Sequence, residues 1–118
     1  MPLIVKQTPY STFVVLTVQG KVDPQNVREL EEATRAALTG ARVSLIFDFS
    51  GLEFIISSGM GMLLVAKNLA AERGGEVLLA GVRPDVYRVF DLLDFPIFFR
   101  FFPHVDVAVK ELLQWSSK

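Results

Sequence analysis

Cysteine is absent from this 118-residue chain, which excludes disulfide frameworks, thiolate zinc sites and redox pairs. Histidine is nearly absent: His104 is the single one. It sits in the first turn of a predicted helix and reads as a solvated helix-start residue, since nothing in the sequence places a serine and an aspartate around it for a relay. Net charge is also small, with 12 basic residues against 13 acidic ones. No basic stripe is present, so nucleic acid is not expected as a ligand. No apolar run approaches the roughly 18 residues a membrane span needs. Met1-Pro-Leu-Ile-Val-Lys6 lacks the apolar core of a signal peptide. These absences leave a soluble, cytoplasmic, single domain over residues 1–118, large enough to bury a core unaided by metal or cofactor.

What is present alternates between two periods. Leu3 to Gln7 and Phe13 to Gln19 read as strands, with Gly20 ending the second. Asp23 as N-cap and Pro24 at the first helical position then start a helix that Gly40 closes. Val43 to Phe49 is apolar on both faces, as a helix-covered central strand should be. A second helix is predicted from about Ser58 to Arg73, stopped by Gly74-Gly75, followed by a short strand from Val77 to Ala80. Pro84 opens a third helix with Val86, Val89, Phe90 and Leu93 inward. Ile97 to Phe102 reads as an aromatic strand, and Pro103 opens a last helix with Val105, Ala108, Val109, Leu112 and Leu113 inward. The predicted order ββαβαβαβα is an α/β fold, a mixed and largely parallel sheet covered by about four helices.

The densest information lies between Asp48 and Leu64. An apolar run passes through a short loop, and Ser57-Ser58-Gly59 opens a helix. A hydroxyl is thereby placed at a helix N-terminus, where unpaired N–H groups and the dipole favour negative charge. That suits adding and removing a phosphate better than breaking a bond. At 100° per residue, Met62, Leu63, Val65, Ala66, Leu69, Ala70 and Arg73 share one side of this helix. Met60 and Leu64 fall on the other, polar side beside Ser57, Gly61 and Asn68. Either flanking loops cover them or they form an apolar partner patch around the hydroxyl; the wheel favours exposure. Gly59-Met60-Gly61 lacks the remaining residues of a nucleotide-binding loop. Asp23, Asp48 and Glu53 can in principle converge at the carboxyl ends of strands, but an N-cap role for Asp23 and a solvated loop position for Glu53 are the better reading.

Taken with Gly20-Lys-Val-Asp23, Asp48-Phe-Ser50, Ser57-Ser58-Gly59-Met60-Gly61 and Arg73-Gly-Gly75, this order of elements resembles the STAS domains of bacterial anti-sigma factor antagonists. The resemblance implies a non-enzymatic regulatory module that controls sigma-factor-dependent transcription. In that family a serine/threonine kinase, itself the anti-sigma factor, phosphorylates the first serine of an Asp-Ser-Ser/Ala-Gly motif, which by position is Ser57. The unmodified antagonist binds the anti-sigma factor, phosphorylation ends the interaction, and a PP2C-type phosphatase restores it. The expected partner-binding residues are Asp23, Ile56, Ser57, Ser58, Gly59 and Gly61, with Met60 and Leu64 added from the helical wheel. One position departs: the family aspartate before the serine is Ile56 here. Its loss removes a carboxylate that could orient the serine or the kinase loop, and makes the surface more apolar. The other role the resemblance implies is that of a non-phosphorylated subunit of a signalling scaffold or transport system, a reading to which the phenylalanine-rich segment 95–102 also points.

Overall fold

A computed structural model describes the backbone of residues 2–116 and the side chains as far as residue 114. Among the described residues, five strands form one sheet in chain order: β1 (Ile4–Pro9), β2 (Phe13–Val22), β3 (Ser44–Ile55), β4 (Val77–Ala80) and β5 (Arg100–Phe102). β1 pairs antiparallel to β2, and the remaining three pairings are parallel. Five helices accompany them: α1 (Val27–Ala37), α2 (Ser57–Glu72), α3 (Pro84–Leu92), α4 (Phe95–Phe98) and α5 (Val105–Ser116).

The sheet has a core on each face, because its central strands are apolar on both sides. One core joins Val14, Leu16, Val18, Phe47 and Phe49 to the inner residues of α1, α2, α3 and α4. The other packs Phe13, Val15, Ile46, Leu78 and Ala80 beneath Ala108 and Leu112 of α5. Alternation along the strands divides the two sets. All four inner residues of β4 are buried, as a doubly covered parallel strand requires.

Several expectations are corrected. β2 does not end at Gly20. It continues to Val22, and β3 continues past Phe49 to Ile55, with register irregularities after Thr17 and Gly20. Gly20 sits within the strand at φ +105°, so this glycine permits an irregular stretch of ladder instead of ending it. The expected loop before α2 is therefore a strand, in which Leu52 and Ile55 stay buried. α1 starts at Val27, one turn later than Asp23-Pro24 implied. Asp23 nonetheless caps that turn: its Oδ1 accepts the N–H groups of Gln25 and Asn26 at 2.9 and 3.1 Å, and Asn26 Oδ1 accepts the Asp23 N–H at 2.9 Å.

The predicted strand from Ile97 is half helix. Asp94 adopts a left-handed conformation (φ 60°), and α4 precedes a shorter β5. The cause is the spacing of Phe95 and Phe99. One helical turn stacks their rings 5.4 Å apart and brings Phe95 to 5.2 Å from Phe90, whose ring in turn lies 6.3 Å from Phe49. Val65, Val89, Leu93 and Leu113, expected inside, are exposed. Arg73, also expected on the inner side of α2, is exposed and donates to the carbonyls of Gly40 and Arg42, tying the end of α2 to the chain entering β3.

Candidate functional site

The ends of β2 and β3 build the platform on which α2 starts. Val22 pairs with Ile55, and the Ile56 N–H donates to the Val22 carbonyl at 3.1 Å. Ile56 is then the helix N-cap in extended geometry (φ −77°, ψ 165°), and its carbonyl accepts the N–H groups of Gly59 and Met60. Its side chain brings no acceptor to the first turn, and no acidic residue lies there. The positive end of the helix carries no acid of its own. Ser57, the first residue of α2, is exposed, as is Ser58.

Gly59 lies beneath them and is buried. A Cβ there would come within 2.8 Å of Ile55 Cγ1 and 3.0 Å of Val22 Cγ1. Glycine thus lets α2 sit directly on the strand ends, which fixes Ser57 at the rim. Gly61 is exposed with open space around it.

The structure separates the two expected patch residues. Met60 is 3% exposed and belongs to the core, contrary to the wheel, whereas Leu64 is 37% exposed. Met60 lies at the border of the helix's buried arc, and its long flexible side chain reaches inward from there. The missed residue is Val65, 43% exposed. Two adjacent helical residues point 100° apart, and Met62, Leu63 and Ala66 already define the inner arc. Leu64-Val65 was the available signal for an apolar outer strip. Phe54, near the end of β3 and opposite Lys21, is also exposed. The outer face of α2 therefore carries Ser57, Gly61, Leu64, Val65 and Asn68.

Asp23, Asp48 and Glu53 do not converge. The Asp23 carboxylate is engaged in its own turn, beside the start of α2. Asp48 pairs with Thr17 and Ala80, well short of the Val22–Ile55 pair, and accepts the Ser50 N–H at 3.1 Å. It lines a hollow of about 400 Å³ with Ser50, Gly81, His104 and Asp106, at the start of α5 on the other face of the sheet. Glu53 is exposed. Among the described residues no group of acidic or histidine side chains is arranged to hold a metal ion, and no helix is long and apolar enough to cross a membrane.

The STAS domain family model matches residues 4–108. The chain belongs to the STAS domain family. A Bordetella bronchiseptica protein, BtrV, named as a candidate anti-sigma factor antagonist, is 31% identical over 84 residues, 70% of this chain and 72% of its own length. The fold of this STAS chain also matches that of the anti-sigma factor antagonist SpoIIAA in its unphosphorylated form, with a TM-score of 0.81 at 21% identity over 96% of this chain and 97% of that one. It matches the Bacillus SpoIIAA in its phosphorylated form with a TM-score of 0.73 at 20% identity, covering 94% and 99%. At such identities the two structures establish the shared architecture.

Proposed function

We propose that this STAS domain is an anti-sigma factor antagonist, a binding module that docks an anti-sigma factor kinase through the outer face of α2 and is released by phosphorylation of Ser57. One observation carries this reading. An exposed serine opens α2 at an N-terminus whose first turn holds no acid and whose cap side chain offers no acceptor, and Leu64 and Val65 lie on the same helix face. A phosphate there gains from the helix end, while its charge of about −1.5 to −2 opposes an apolar partner surface. The name of BtrV and the existence of a phosphorylated SpoIIAA structure support it. The contact set is Asp23, Ile56, Ser57, Ser58, Gly61 and Leu64, with Val65 added. Met60 and Gly59 act from beneath by seating the helix.

Incubation with the cognate anti-sigma factor kinase and ATP, followed by mass spectrometry, should place phosphate on Ser57, and Ser57→Ala should remove it. Phosphate elsewhere, or none with a kinase active on another substrate, overturns the switch. Binding of that kinase by unmodified chain then still tests the docking half on its own.

A further inference from the structure

β3 runs on with β2 beyond the rest of the sheet. Its pairing with β4 ends at Asp48–Ala80, whereas its ladder with β2 continues to Val22–Ile55. α5 starts beside the hollow lined by Asp48 and Ser50 and runs back toward Phe13, where Leu112 packs. Among the described residues, the last stretch of β2 and β3 is therefore covered by helices on one face only. Parallel strands are normally covered on both faces.

An irregularity in the ladder decides what the bare face carries. Gly20 opposes Leu52 and Lys21 opposes Phe54, so Glu53 is an extra residue in β3. A bulge of this kind re-aims the side chains around it. Leu52 and Ile55, three residues apart, both enter the core, and Phe54 is turned out, 47% exposed. Among the described residues its ring belongs to neither core and stacks on no other ring. The fold gains little from an aromatic side chain here.

Phe54 lies three residues before Ser57, about 10 Å along the strand. Leu64 lies seven residues after it, about 10 Å along α2. Ser57 thus stands between two exposed apolar side chains, one on the strand side and one on the helix side. A specific interface covers about 800 Å² of each partner, a disc about 16 Å in radius, so a protein that closes on Ser57 reaches both. It cannot read the serine's neighbours in sequence order. Ile55 is buried, and Ile56 is half-buried and pinned by its N–H bond to the Val22 carbonyl.

We propose that Phe54 is the strand-side anchor by which the anti-sigma factor kinase recognises this chain, and that it sets specificity for Ser57. The proposal rests on the docking of that kinase argued above. Phe54 fills an apolar pocket of the kinase, in keeping with the enrichment of aromatic side chains at interface cores. It holds the domain on the kinase and takes no part in phosphoryl transfer, so its contribution lies in binding.

The test measures phosphorylation of Ser57 in the whole chain by the cognate kinase with ATP, together with the affinity of that kinase for unmodified chain. Phe54→Ser should raise KM at least tenfold with kcat within twofold, and weaken binding by a similar factor. Phe54→Leu should keep most of both, because an apolar side chain remains. Phe54→Ser should melt within two or three degrees of the parent, since the ring lies outside both cores. Parental KM and affinity in Phe54→Ser overturn the proposal and leave the Ser57 switch standing. A melting temperature lower by about 10 °C or more also overturns it, because Phe54 would then serve packing. If the kinase binds the parent without phosphorylating it, the switch fails and the affinity ratio alone decides the role of Phe54. A parent chain that an active kinase neither binds nor phosphorylates overturns both readings.

Discussion

Replacing Met60 and Leu64 by alanine, one at a time, separates core from surface on a single helix. Met60 is 3% exposed and lies among Val22, Ile55 and Leu63 in the core beneath α1 to α4. Truncation removes buried thioether and methylene groups and leaves a void that the β3–α2 junction cannot easily close. Large-to-alanine changes at such sites cost about 2–5 kcal/mol. For a domain of this size, 1 kcal/mol moves the melting temperature by about 3–6 °C, so Met60→Ala should melt lower by on the order of 10–20 °C. Leu64 keeps over a third of its surface in water, and Leu64→Ala should cost under about 1 kcal/mol of stability. Its effect should instead be on partner affinity, about 1 kcal/mol or more if it anchors the contact, or five- to tenfold in Kd. Calorimetric melts paired with titration of the anti-sigma factor kinase measure both. A Met60→Ala variant melting within two or three degrees of the parent would refute the placement of Met60. Leu64→Ala melting as low as Met60→Ala would refute the outer strip.

Ser57→Asp should leave the melting temperature nearly unchanged, because the residue is exposed and an acid at a helix start is tolerated, while partner binding in a pull-down should weaken; a large fall in melting temperature would contradict the site geometry. Gly75→Ala should destabilise by about 2–3 kcal/mol or more in denaturant titrations, since its Cβ would lie 1.9 Å from the Val43 carbonyl oxygen and 2.7 Å from the Ser44 hydroxyl that accepts the Glu76 N–H. The Arg100 guanidinium is held above its ordinary pKa, chiefly by its hydrogen bond to Glu111. A raised basic pKa gives stability that is complete below the unfolded value and lost only as pH rises through the folded one, so the group adds no slope between pH 6 and 10. Arg100→Met should therefore cost the same at pH 6 and pH 9. With the guanidinium half exposed, that cost should stay under about 1 kcal/mol and shrink in salt.

Sequence and structure agree most where local signals had no competitor. Val77 to Ala80 is the strand expected, and α2 starts within one residue of its predicted position. They part where tertiary contacts outweighed local ones. The Phe95–Phe99 stack turned an apparent strand into a helical turn. Pairing with β2 carried β3 through Ser50-Gly51 to Ile55. The wheel for α2 missed Met60 because a flexible side chain at the border of the buried arc can turn either way, and a projection holds no information about what lies below.

By itself the sequence determined the alternation of strands and helices, the serine at the start of α2, and the exclusion of thiol chemistry, because each follows from residue identity or short-range spacing. Only the tertiary structure decided which apolar residues remain outside. Burial depends on the neighbouring elements that arrive from elsewhere in the chain. Leu64 and Val65 stay outside because Met62, Leu63 and Ala66 take the inner arc, and Leu92 and Ile97 stay outside because Phe90, Phe95 and Phe99 fill the space beneath them.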